Sequence, residues 1–124
     1  MTFRETLDKH LRAISARDLE ALIETLPPDD LVLIMSNGKV VRSVAEFVEA
    51  HRGWFEMPSW ELQTSPIHVF ETDDVGAAVL RLDYSDLNAD HTRFHESSIL
   101  TLVFALRQGR WVMVHDQNTP IKSG

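Results

Sequence analysis

Cysteine is absent from all 124 residues. That excludes disulfides, thiolate zinc sites, iron–sulfur clusters and cysteine nucleophiles. Long apolar runs are absent too: none approaches the ~18 residues that a membrane span requires. Positive charge is scarce, with 12 Lys and Arg against 19 Asp and Glu and a net charge of −7. Such a surface repels phosphate backbones, so no nucleic-acid partner is expected. There is no low-complexity tract, internal repeat or linker, only short breaks at Pro27-Pro28, Asn37-Gly38 and Gln108-Gly109. No glycine-rich phosphate loop, Ser-His-Asp order or HExxH pattern occurs, and no cofactor is expected. The opening MTFRETLDKHLRA is amphipathic and charged, unlike the apolar core of a signal peptide, so a cytoplasmic protein is expected. What is present, 44% apolar and 25% charged residues, suits one globular domain over residues 1–124 with a real core.

The first third reads as helical. Thr2 and Glu5 have capping-box spacing, and Phe3, Leu7, Leu11 and Ile14 follow on one face. Asp18 can cap a second helix carrying Leu19, Leu22, Ile23 and Leu26, stopped by Pro27-Pro28. Leu31 to Met35 forms an apolar run before the hairpin turn Ser36-Asn37-Gly38-Lys39. Ser43 and Glu46 open a third helix with Val44, Phe47, Val48, His51 and Phe55 on one side. Trp60–Phe70, Val75–Leu87, Thr92–Arg107 and Arg110–Asn118 are rich in strand formers, and their short turns predict an antiparallel meander. Segregated elements of this kind mean α+β, with helices on one face of a bent antiparallel sheet.

A two-residue loop at Gln108-Gly109 sets Arg107 opposite Arg110. Strict alternation then places Leu100, Leu102, Phe104 and Leu106 with Trp111, Met113, His115 and Gln117 on one face. The other face carries Ser97, Ile99, Thr101, Val103 and Ala105 with Val112, Val114, Asp116 and Asn118. Helices cover one face only, so a second apolar face predicts a partner, most simply a second copy of the chain.

The order helix, ARDLEAL (16–22), helix, Asp29-Asp30, a Ser-Asn-Gly turn, helix, and the closing strand GRWVMVHDQNTP (109–120) resembles the nuclear transport factor 2-like superfamily. The nearest branch is the SnoaL-like one. Trp111-Val112-Met113-Val114 with Gln117-Asn118-Thr119 is similar to the enediyne-cluster SgcJ-type proteins. The resemblance covers about residues 2–119. It implies a cone-shaped α+β barrel, in which a strongly curved antiparallel sheet wraps three helices, with a pocket inside and a homodimer through the outer sheet face.

Against the ketosteroid isomerases of that superfamily, His10 stands where they have a catalytic tyrosine. Met35 (with Ile34 as the alternative) stands at their aspartate base, and Thr101 at their second acid. Proton abstraction needs a base, which Met35 and Thr101 are not. Against the hub domain of calmodulin-dependent kinase, the pocket arginines fall at Leu102 and Asn118, so its anion site is not carried over.

The resemblance puts Thr101, Asp116 and Asn118 inside the cone, with His10 facing them. Even register adds Arg81 and Asp83, opposite Ser97 and His95. His10 and Asp116 are the candidate acid–base pair. Thr101, Asn118, Arg81, His95, Trp54 and Trp60 are candidate ligand-binding residues, with Arg81 or a protonated His10 expected to compensate the Asp116 carboxylate. Leu100, Leu102, Phe104, Trp111, Met113 and His115 are then expected on the dimer interface. His51 reads as a core histidine with one hydrogen bond. His91, His95 and Glu96 do not make a metal site, because strand residues four apart are separated by about 13 Å. The resulting expectation is a small-molecule-binding cone for a small polar-aromatic ligand, which it either binds without chemistry or acts on by cofactor-independent isomerase-, cyclase- or hydrolase-like acid–base chemistry. The alternative is a non-catalytic association domain resembling the kinase hub.

Overall fold

The computed structural model describes residues 1–122. Helix α1 spans Phe3–Ser15 and opens on a full capping box. The Glu5 N–H donates to Thr2 Oγ1 at 3.1 Å, and the Thr2 N–H donates to Glu5 Oε1 at 2.8 Å. Its buried face holds Phe3, Thr6, Leu7, His10, Ala13 and Ile14. The helix closes with the Asp18 N–H donating to the Ala13 carbonyl at 2.8 Å and Arg17 left-handed at φ 55°. A non-glycine residue is strained there. The Arg17 side chain offsets this: its guanidinium lies 3.7 Å over the Trp60 ring and donates to the Trp60 and Met57 carbonyls.

Helix α2, Leu19–Ile23, is capped by Asp18, whose carboxylate accepts from the Ala21 N–H at 3.1 Å. Helix α3, Val44–Phe55, is capped by Ser43, whose hydroxyl accepts from the Glu46 N–H at 3.1 Å.

The strands are β1 Asp30–Ile34, β2 Val40–Ser43, β3 Glu61–Glu71, β4 Val75–Leu87, β5 Arg93–Arg107 and β6 Arg110–Pro120. They form one sheet in the order β2-β1-β6-β5-β4-β3. Gly38 at φ +87° turns the first hairpin, and Gln108 and Gly109, both at positive φ, turn the last. The sheet is mixed, which corrects the expectation of a wholly antiparallel one: β1 runs parallel to β6, with Val32 beside His115 and Leu33 beside Asp116. Short turns fix only neighbours in sequence, so this pairing across about 80 residues left no local signal.

The register of the last hairpin is also corrected. It follows strict alternation from Arg107↔Arg110 to Phe104↔Met113 and then shifts. Val114 is the extra residue of a β-bulge, after which Val103 faces His115, Leu102 faces Asp116, Thr101 faces Gln117 and Leu100 faces Asn118. The bulge turns Asp116 and Asn118 to the same side as Met113.

That side is the inner one. Leu100, Leu102, Phe104, Trp111 and Met113 are buried in the core beneath the helices, not on an outer interface. Thr101 is on the outside. The choice of face follows residue size: the leucine, phenylalanine and tryptophan side chains fill the space between sheet and helices, which the smaller Ser97-Thr101-Ala105 row would leave empty. Of the six residues expected at the interface, only His115 faces outward, its Nε2 3.3 Å from Gln117 Oε1.

Candidate functional site

His10 is fully buried on the inner face of α1. Its Nδ1 lies 2.7 Å from the hydroxyl of Thr25, and that hydroxyl donates to the Leu22 carbonyl at 2.7 Å. A hydroxyl has one proton; with it on the Leu22 carbonyl, the imidazole Nδ1–H is the donor to Thr25. Nε2 is buried without a hydrogen-bond partner. The ring stands edge-on to Phe104 at 5.6 Å. Burial, reinforced by repulsion from His51, lowers its pKa to about 3, so the ring is neutral.

Asp116 is 6% exposed on β6. Burial alone drives its pKa, with no donor or cation to oppose it, and the carboxyl is pushed up to about 7. The compensation expected from Arg81 or a protonated His10 is not there. Asn118, two residues on and on the same face, buries its Oδ1 without a partner. The interior thus holds two unmatched acceptors and a carboxyl poised near neutrality among Leu33, Leu80, Leu100 and Leu102.

A separate aromatic cluster joins the end of α3 to β4. Trp54 and Trp60 stack at 4.1 Å, and Tyr84 lies 6.3 Å from Trp54. Trp60 is 2% exposed. Trp54 covers one of its faces, Arg17 sits against the ring, and its indole N–H donates to the Trp54 carbonyl at 2.8 Å. Its surface is therefore spent on the core. Trp54, Leu62 and Tyr84 are partly buried, so they border the interior. His51 donates from Nδ1 to the Phe47 carbonyl at 2.8 Å and stacks on Phe47 at 4.0 Å; its pKa is lowered by burial.

Thr101, Arg81 and His95 do not join this set. All three lie on the outer face: Thr101 opposite Gln117 and Val79, Arg81 opposite Ile99, His95 opposite Ser85. Of the expected even-register group, Arg81, Asp83 and Ser97 meet there without His95, and Asp83, not Arg81, faces Ser97: Arg81 ion-pairs with Asp83 at 3.3 Å and donates to Ser97 at 3.1 Å, and Ser97 donates to Asp83 at 2.7 Å. Sequence reasoning missed Thr25, although a threonine 15 residues after His10, at the end of the next helix, was the available signal.

Two clefts open at the surface. One, about 330 Å³, enters between α1 and the inner face of β3 and β4, past Asp8, Leu11 and Pro66, and reaches the core residues Leu7 and Leu80. The other, about 480 Å³, is bordered by Pro28, Asp29, Arg107 and Val112. Among the described residues, no cluster of three or more His, Asp or Glu side chains could hold a metal, and no helix is long and apolar enough to cross a membrane.

The family model for the SnoaL-like domain matches residues 4–120. The chain belongs to the SnoaL-like domain family. No curated protein matches the sequence. Solved structures show the same nuclear transport factor 2-like fold. A Thiobacillus denitrificans protein assigned as a calcium/calmodulin-dependent protein kinase type II association domain superposes with TM-score 0.80 at 18% identity, covering 98% of this chain and 96% of that one. A ketosteroid isomerase-like protein from Erwinia carotovora atroseptica gives 0.79 at 17% identity, covering 97% and 94%. A nuclear transport factor 2-like superfamily protein from Salmonella enterica gives 0.77 at 16%, covering 97% and 89%.

Proposed function

We propose that this SnoaL-like domain binds a small neutral organic molecule inside its cone, as a homodimer, with Asp116 as the proton-transferring group. The observation that carries the reading is the set of unmatched polar atoms in an apolar interior: His10 Nε2, Asn118 Oδ1 and the uncompensated Asp116 carboxyl. Unmatched buried polar groups cost about 1–3 kcal/mol each, and a bound ligand is one way to recover that. A carboxyl with a pKa near 7 both gives and accepts protons at neutral pH. His10, held near 3, does not serve as a base there. Its role in this reading is hydrogen-bond acceptor, with Trp54 supplying an aromatic surface.

Asp116→Asn tests it. Calorimetric titration with 2-naphthol, a flat aromatic body with one hydroxyl, is expected to show saturable binding to the parent protein. The variant should keep the fold and lose that binding by roughly tenfold or more. Unchanged affinity in a folded variant would remove Asp116 from the site. Met35 at the close of β1 supplies no base, so turnover of 3-oxo-Δ5 steroids is expected at background in a steady-state assay.

The second reading is an association domain whose product is the assembly itself. Neither surface cleft is lined by His10, Asp116 or Asn118, and His10 is fully covered. The name of the Thiobacillus denitrificans relative points the same way. Absence of binding by any donor-bearing aromatic, with a stable oligomer, would favour it.

A further inference from the structure

We propose that Thr25 is a positioning residue that sets the ligand class, because by holding His10 as its Nδ1–H tautomer it restricts the cone to molecules offering an O–H or N–H donor to Nε2. The proposal rests on the binding reading above. Thr25 is 1% exposed, and its backbone carbonyl accepts from the Met113 N–H at 2.8 Å, which ties the end of α2 to β6. Its side chain is held at the other side by the 2.7 Å bond to the Leu22 carbonyl. With that proton committed, the hydroxyl offers only lone pairs, and the 2.7 Å contact to His10 is made only if Nδ1 carries the hydrogen.

A neutral imidazole has one N–H. Nε2 is then a bare lone pair, sealed in the interior with no partner. Asn118 Oδ1 is a second unmatched acceptor on the β6 wall. Each acceptor favours a donor and repels the lone pairs of ethers, carboxylates and phosphates. Arg81, the cation expected here, lies on the other face of the sheet, so nothing on that strand compensates an anionic ligand. The selected class is neutral phenols, alcohols and amides.

Nitrogen-15 spectra of the His10 ring in the free protein read the tautomer with no ligand present. The expected result is a protonated Nδ1 and a pyridine-like Nε2. Thr25→Val, near-isosteric but without the hydroxyl, should give mixed tautomers, and Thr25→Ser should restore the single form. Calorimetry then compares 2-naphthol with 2-methylnaphthalene, which replaces the hydroxyl by a methyl. The parent and Thr25→Ser should prefer the naphthol by roughly tenfold, and Thr25→Val by under about threefold. A protonated Nε2 in the parent, or a preference unchanged in Thr25→Val, overturns the proposal. Should Thr25→Val not fold, the parent decides alone: a protonated Nε2 or a preference below about threefold overturns it. Binding of neither aromatic overturns the binding reading and the ligand class with it. The ring spectrum distinguishes that failure from failure of the tautomer lock.

Discussion

Burial acts on Asp116 and His10 in opposite directions. The carboxyl rises from 3.8 to about 7, and the imidazole falls from 6.5 to about 3. For Asp116 the folded state binds more protons than the unfolded one, so its contribution is full below about 4 and is lost as pH rises toward 7. For His10 the unfolded state binds more protons. Its contribution is full above about 6.5 and is lost as pH falls toward 3. His51, also lowered, adds to the His10 slope. Between about pH 4 and 6.5 the two slopes oppose each other, and the parent's stability should change little there. Asp116→Asn should expose the rising histidine slope and gain about 2–4 kcal/mol at pH 8. Urea unfolding across pH 4 to 8 measures both. A flat profile for Asp116→Asn would mean that the histidines are not buried as described, and no gain over the parent at pH 8 would mean the same of Asp116. Part of this was legible in the sequence: helical spacing gave the buried face with Phe3, Leu7 and Ile14, and the family resemblance put His10 inside. The compensating donor was not, because whether Arg81 points in or out depends on which face of the whole sheet the helices cover.

Among the elements, β6 carries the main lesson. Its ends, its turn and its first four pairings follow from the Gln108-Gly109 loop and alternation. The bulge at Val114 does not, because nothing in a run of Trp, Val, Met and Val marks where one residue is skipped. Asp116 is inside because the bulge and the choice of face, each different from strict alternation, both reverse its orientation. Deleting Val114 discriminates the registers. In the observed pairing it brings His115 directly after Met113 and leaves every partner in place, so Asp116 stays inside and its carboxyl still titrates near neutrality. Strict alternation would instead turn Asp116 to the other face. Carbon-13 titration of the carboxyl decides it, and an ordinary carboxylate pKa in the deletion variant would overturn the register. The seat of α1 on β4 makes a second prediction. A Cβ on Gly76 would fall 2.5 Å from the Phe3 ring, which is held between Phe104 and Trp111 at 5.6 Å each. Gly76→Ala should therefore cost about 1–3 kcal/mol of overpacking, read by thermal unfolding; a change within error would mean that α1 rides further from the sheet.

For the whole molecule, the face left outside decides the assembly. With the large side chains turned inward, the outer surface of β4 to β6 carries Val79, Ile99, Thr101, Val103 and Ala105, all half-buried within one chain, with His115 and Gln117 beside them. A one-sided antiparallel sheet ordinarily alternates apolar residues with polar ones facing water, yet this row is nearly free of charge until Arg81 and Asp83. The expected occupant is the same row of a second copy, related by a two-fold axis and burying over about 1,000 Å² in total. Light scattering at micromolar concentration should give twice the chain mass. Val103→Asp places a charge at the centre of the row and should give monomers. Val103 contacts none of the cone's interior, which is built within a single chain, so the monomeric variant should retain the raised Asp116 pKa and the same affinity for 2-naphthol. A monomeric parent, or a dimer that survives Val103→Asp, would sink the interface. A variant that turns monomeric and loses naphthol binding together would mean that the second copy completes the site.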